Sequence, residues 1–120
     1  GYMGKMFYVQ NITAVTAACL MVKKSKYEAV GGFDEEQAVA YNDVDFCLKL
    51  GESGLQNIFN PFCELYHYES LSRGLDTDSE NQERFLAEVE RFSKKWSAKL
   101  EKGDPYYNPN FSLDISYELK

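Results

Sequence analysis

The chain has 120 residues, 44% apolar and 27% charged, with 13 Lys+Arg against 19 Asp+Glu for a net charge of −6. That length fits one domain or part of one. The acidic balance excludes a broad nucleic-acid footprint, which needs a basic face, while leaving room for an anionic nucleotide held through a divalent cation.

No apolar run approaches the roughly 20 residues of a membrane span, and no signal peptide opens the chain. The chain starts at Gly1 rather than Met and is read as a piece of something longer. Nine Tyr and eight Phe can supply core or flat platforms for sugar rings. Cys19, Cys47 and Cys63 form no Cys-x-x-Cys pair and no zinc spacing. Their odd count and apolar neighbours point to buried free thiols in a reducing compartment.

In chain order, residues 1–11 show no helical period and read as a loop with extended parts. Residues 12–22, ITAVTAACLMV, are almost wholly apolar and suit a strand buried on both faces. Ser25 is placed to cap a short helix over Lys26 to Val30, which Gly31-Gly32 ends. Phe33 to Tyr41 reads as a loop.

A second helix is expected from Asn42, as its cap, to Ser53, with Val44, Cys47, Leu48 and Gly51 on one face and Gly54 just past its end. Leu55 to Asn60 reads as a strand limited by Pro61, and Phe62 to Tyr68 as a second extended segment carrying His67. Residues 69–77 are polar and turn-like. A long helix is expected from Ser79 to Lys102, with Phe85, Val89, Phe92, Trp96 and Leu100 on one face, ended by Gly103 and Pro105. The tail, Asp104 to Lys120, is read as wrapping a surface. The fold class is α/β with a small mixed sheet and flanking helices, and no Gly-rich phosphate loop joins a strand to a helix.

Several residues have the chemistry of a site. Asp43 and Asp45 fall in the first turn of the second helix, where acidic side chains gain roughly 0.3–1 kcal/mol each from the helix dipole. They also suit a general base or metal ligand at the mouth of a cleft. His67, the single histidine, ends an extended segment, and strand ends are where α/β sites gather. Ser70, Ser72 and Arg73 offer hydroxyls and a guanidinium to phosphate oxygens, or form a solvated turn. Lys49 reads as a surface cation.

The combination is more specific than its parts. Thr16-Ala17-Ala18-Cys19-Leu20-Met21-Val22 is followed by Tyr27-Glu28-Ala29-Val30-Gly31-Gly32-Phe33-Asp34-Glu35. Asn42-Asp43-Val44-Asp45-Phe46-Cys47-Leu48-Lys49-Leu50 and Gly54-Leu55 come next, then Asn60-Pro61 and His67-Tyr68-Glu69-Ser70-x-Ser72-Arg73-Gly74. In this order and spacing, Val15 to Gly74 resembles the second, acceptor-side half of family 2 glycosyltransferases of the GT-A fold. The long helix and tail resemble a C-terminal extension of some members.

The resemblance implies residues 1–77 as the acceptor-side part of a GT-A domain and 78–120 as a helical extension and tail packed on it. It implies an inverting transfer of a sugar from a nucleotide-diphosphate donor to a glycan or other hydroxyl acceptor. Asp43 matches the family's catalytic base. Asn42 stands where Glu is usual, and with Asp45, Thr16 and Ala17 it is assigned to the acceptor side. Ala17 replaces a frequent Gly, and Lys49 a frequent Arg. His67 matches a metal ligand, and Ser70, Ser72 and Arg73 would lie near the donor diphosphate.

A divalent metal, Mg or Mn, would be shared with a missing N-terminal half, so the chain by itself is not expected to turn over. The whole enzyme is expected in the cytoplasm or at the membrane periphery. A half-domain leaves a sheet edge open, which predicts a homo-oligomer. Two other readings stay open: a non-catalytic carbohydrate- or partner-binding module of the same fold, and a small metal-dependent hydrolase using Asp43, Asp45 and His67.

Overall fold

A computed structural model describes residues 2–68, 79–114 and 118–119. The order of elements is a 3-10 helix (Tyr2–Phe7), β1 (Gln10–Ile12), a 3-10 turn (Ala17–Cys19), α1 (Lys24–Ala29), α2 (Asn42–Glu52), β2 (Asn57–Phe59), α3 (Ser79–Lys95) and α4 (Ser97–Lys102). The class is α/β as the periodicities imply. Among the described residues the sheet, however, is two-stranded and antiparallel, pairing Gln10 with Phe59 and Ile12 with Asn57, and is therefore not mixed.

The apolar run 12–22 does not form the expected buried strand. Only Ile12 belongs to β1. The chain bends at Thr13, Ala14 to Thr16 form no regular element, Ala17–Cys19 tighten into a 3-10 turn whose residues are exposed, and Met21 is fully exposed. This backbone is bonded to side chains instead of a neighbouring strand. Asn57 donates to Thr13 O at 3.0 Å, and Val15 N–H points at Cys47 Sγ at 3.5 Å. Composition and β-branching cannot distinguish these two ways of satisfying a backbone.

The helix stops match the glycine signals. After α1, Gly32 N–H reaches Tyr27 O and Gly31 N–H reaches Glu28 O; after α2, Leu55 N–H reaches Leu50 O and Gly54 N–H reaches Gly51 O. Both are the paired bonds of a Schellman motif, which requires a left-handed residue, supplied by Gly31 (φ 79°) and Gly54 (φ 83°). The starts differ from expectation. Helix α1 begins at Lys24 with Lys23 as its uncapped N-cap, so Ser25 lies inside it. Helix α2 is preceded by Tyr41 in the left-handed region (φ 55°), and Asn42 is its first residue rather than its cap.

The predicted long helix is interrupted at Trp96, which separates α3 from α4. Phe92 and Trp96 are buried, while Phe85 and Leu100, expected on the same face, are largely exposed. The core is a small cluster of Leu48, Phe92 and Trp96 with Val44 against it. Phe46 adds a second centre, its ring 5.4 Å from Tyr27 and 4.8 Å from Phe33. Gly51, expected on the buried face of α2, is exposed, whereas Leu50 is buried.

Leu55 to Asn60 shortens to three paired residues, and 62–68 is irregular rather than extended in a sheet. The tail folds back on the N-terminal part: Thr13 Oγ1 donates to Asp104 Oδ1 at 2.6 Å.

Candidate active site

Asp43 sits in the first turn of α2, half-buried. Its Oδ1 accepts from the N–H of Val44 at 2.9 Å, and its Oδ2 accepts from the N–H of Ala17 at 3.1 Å. The second bond crosses 26 residues. It brings the exposed Thr16–Cys19 turn against the start of α2, so Asp43, Ala17 and Thr16 share one surface. Thr16 Oγ1 caps its own turn by accepting from Ala18 N–H at 3.3 Å. Asn42 lies beside them, accepting from Asp43 N–H at 2.8 Å and donating to Ala38 O at 3.3 Å.

Each carboxylate oxygen of Asp43 has further lone pairs to offer beyond these bonds. The oriented amides and the positive end of α2 favour its negative charge. A hydroxyl arriving at this surface would meet a fixed acceptor. Cys47 lies four residues, about one turn, further into α2, where burial pushes its thiol pKa up, and the nearby Asp43 charge adds to that rise.

Asp45, assigned by sequence to the acceptor side, faces inward and is almost fully buried. Its Oδ1 accepts from Trp96 Nε1 at 2.8 Å and from Lys95 Nζ at 2.7 Å; Lys49 Nζ stands 3.7 Å from Oδ2, which makes no hydrogen bond. Lys49 is therefore not a plain surface cation: its side chain is mostly buried, and it donates to Gly32 O at 2.5 Å. Burial alone pulls the Lys95 ammonium down, but hydrogen bonds and charge from Asp45 and Asp34 outweigh it and raise its pKa above the ordinary lysine range.

The loop that delivers Asp43 is fastened by α3. Glu88, buried, accepts from three consecutive backbone amides: Ala38 (3.1 Å), Val39 (3.2 Å) and Ala40 (2.7 Å). Gln37, also buried, donates back to Glu88 O at 2.8 Å. Asp34 of the Gly-Gly-Phe-Asp run binds Arg91 at 3.2 Å and Lys95 at 3.4 Å. These contacts precede Tyr41, whose left-handed backbone costs on the order of 1–3 kcal/mol unless its surroundings dictate it.

Sequence reasoning missed Glu88, Gln37 and Asn57. Glu88 and Gln37 look like ordinary solvated polar residues, and nothing local marks their burial. Asn57 is equally unmarked, one of three polar residues in Leu55 to Asn60. Its amide donates to both Thr13 O and Cys47 O at 3.0 Å.

His67 is exposed in the irregular segment after β2, and Ser70, Ser72 and Arg73 lie outside the described residues. Among the described residues, no group of three or more His, Cys, Asp or Glu side chains could hold a metal ion. They do not by themselves make a divalent-metal site. The expectation of three buried thiols is corrected: Cys47 is buried, but Cys19 and Cys63 are exposed. No helix among the described residues is long and apolar enough to cross a membrane.

No family model matches the chain, and no solved structure matches it. Three relatives do. It is 44% identical over 115 residues, 95% of its length, to an uncharacterized protein, y4gI, of Sinorhizobium fredii. It is 34% identical over 110 residues, 92% of its length, to the O-antigen biosynthesis protein RfbC of Myxococcus xanthus. It is 31% identical over 90 residues, 72% of its length, to an N-acetylglucosaminyl-diphospho-decaprenol L-rhamnosyltransferase of Mycobacterium tuberculosis. The chain spans only 12%, 8% and 29% of these relatives respectively.

Proposed function

We propose that this chain is the acceptor-side part of an inverting glycosyltransferase of the GT-A fold, with Asp43 as the base that deprotonates the acceptor hydroxyl. The observation that carries the reading is the bond from Ala17 N–H to Asp43 Oδ2. It joins the two stretches that the family resemblance assigns to the acceptor side. The relatives named for O-antigen biosynthesis and for rhamnosyl transfer support a sugar-transfer role.

In the reaction, an acceptor hydroxyl oxygen attacks the anomeric carbon of a nucleotide-sugar. The bond from that carbon to the diphosphate oxygen breaks, and the hydroxyl proton passes to the Asp43 carboxylate. Base catalysis of this kind contributes about 10²–10⁴-fold. Thr16, Ala17 and Asn42 border the same surface and would shape the acceptor site. Asp45, turned inward onto Trp96 and Lys95, would position α2 rather than touch the acceptor.

A divalent metal, Mg or Mn, would offset charge on the departing diphosphate. This stretch offers His67 toward it, with Ser70, Ser72 and Arg73 toward the diphosphate itself; the other ligands would come from elsewhere in the protein. Residues 1–77 would belong to the transferase domain and 78–120 to an extension packed on it, and the chain alone would not turn over. The alternative is a binding module that holds a glycan at the same surface.

The test is transfer by the full-length protein from nucleotide-sugar donors, with the product's anomeric configuration read by proton NMR. Inverted product is expected. Retained configuration would refute the single displacement, and glycan binding without any transfer would favour the binding module.

A further inference from the structure

Two of the three thiols lie close together. Cys19 Sγ and Cys63 Sγ are 3.8 Å apart across 44 residues of chain, and both side chains are exposed. A disulfide bond is about 2.05 Å long, so closing the gap needs less than 2 Å of combined movement (roughly, by the same bond length). Both cysteines lie where such movement is cheap. Cys19 ends a three-residue 3-10 turn, and Cys63 follows the Asn60–Phe62 bend in irregular chain.

We infer that Cys19 and Cys63 form a reversible disulfide site that takes a peroxide as oxidant and a small thiol as reductant. One thiol sulfur attacks a peroxide oxygen; the O–O bond breaks, leaving a sulfenic acid and one water. The second sulfur then displaces the sulfenic oxygen as a second water and forms the S–S bond. Two electrons pass from the sulfurs to the peroxide, and both thiol protons leave in the waters. Thiol–disulfide exchange with a small thiol returns the dithiol.

The third cysteine is an internal control. Cys47 is buried in α2 with Val15 N–H on its sulfur and burial raising its pKa, so it is poorly placed to react. The contact with Cys63 raises the pKa of Cys19, chiefly through the hydrogen bond between the two sulfurs. The Cys19 thiol is a weaker nucleophile for it, and oxidation is slow without sustained oxidant.

The site is coupled to Asp43 by geometry. Cys19 closes the same turn whose Ala17 N–H holds Asp43 Oδ2. Drawing Cys19 toward Cys63 pulls that turn toward the segment carrying His67 and re-aims the Asp43 carboxylate. This consequence rests on the transferase reading; the disulfide itself does not.

The test treats the full-length protein with hydrogen peroxide, alkylates the remaining thiols and maps the peptides by mass spectrometry. A Cys19–Cys63 linked peptide, reversed by dithiothreitol, with Cys47 recovered reduced, is expected. Cys63→Ser should abolish the link. Recovery of Cys19 and Cys63 unlinked after peroxide, free or separately oxidised, overturns the site. In a parallel assay the linked wild type should transfer sugar on the order of tenfold more slowly, since an ångström of misplacement is costly. Cys63→Ser should not respond to peroxide. A fully linked protein with an unchanged rate overturns the coupling while leaving the disulfide standing; failure of the transferase reading shows instead as no transfer before or after oxidation, with the mass result unaffected.

Discussion

The indole Nε1 of Trp96 donates to Asp45 Oδ1 at 2.8 Å, with both side chains buried. The bond spans 51 residues and fastens the end of α3 to the first turn of α2, two residues after Asp43. Replacing Trp96 with Phe keeps most of the ring but leaves a buried carboxylate short of a donor. The expected loss is about 1–3 kcal/mol, read from the urea midpoint. A midpoint unchanged from wild type would mean the bond contributes nothing net.

Glu88 accepts from the amides of residues 38–40, and a glutamine there can accept at one oxygen while its NH2 opposes the remaining donors. Glu88→Gln should cost about 2–3 kcal/mol. Hydrogen exchange at Ala38, Val39 and Ala40 should accelerate relative to the interior of α2. Equal protection in the variant would show that the carboxylate is not what holds the loop.

Gly31 and Gly32 should respond unequally to alanine. Both have positive φ, but a Cβ on Gly32 would meet the Tyr27 ring at 2.6 Å, while one on Gly31 meets nothing within 4 Å. Gly31→Ala should cost about 1 kcal/mol from the left-handed backbone alone. Gly32→Ala should cost more by roughly 1–3 kcal/mol, the range for overpacking, because Tyr27 is held against Phe33 and Phe46. Equal melting temperatures for the two variants would contradict the packing described.

Alkaline pH should destabilise the fold in two steps. Cys47 has its folded pKa raised above 9.0, mainly by burial. The unfolded thiol therefore ionises first, and its contribution, full below pH 9.0, is lost as pH rises through the raised value. Lys95, raised above 10.5 by Asp45 and Asp34 against the opposing effect of burial, acts in the same direction at higher pH. Stability against pH should bend downward near pH 9.0, and Cys47→Ala should weaken that first bend, leaving the part that Cys19 supplies. An identical pH profile in the variant would contradict it.

Local chemistry made much of the chain legible before any coordinates. Gly31 and Gly54 mark two helix ends because only their backbone freedom allows the paired terminal bonds, and Asn42 to Ser53 differs from the observed α2 by a single residue. The failures share a cause. Residues 12–22 look like a buried strand because a strand and an irregular chain held by side chains have the same composition, and here Asn57, Cys47 and Asp43 do the holding. Asp45 and Asp43 look alike in sequence. Which of them faces inward depends on Trp96 arriving from 51 residues away. Glu88 was invisible for the same reason.

The central claim is that Asp43 is the base, and one comparison tests it most directly. In the full-length protein, Asp43→Asn preserves size and can keep one of the two bonds from Ala17 and Val44 N–H, the other donor then facing the NH2, while removing the basic carboxylate. At saturating donor, the account predicts a fall in transfer rate of about 10²–10⁴-fold, with donor affinity unchanged. A variant that transfers sugar at the wild-type rate would contradict it.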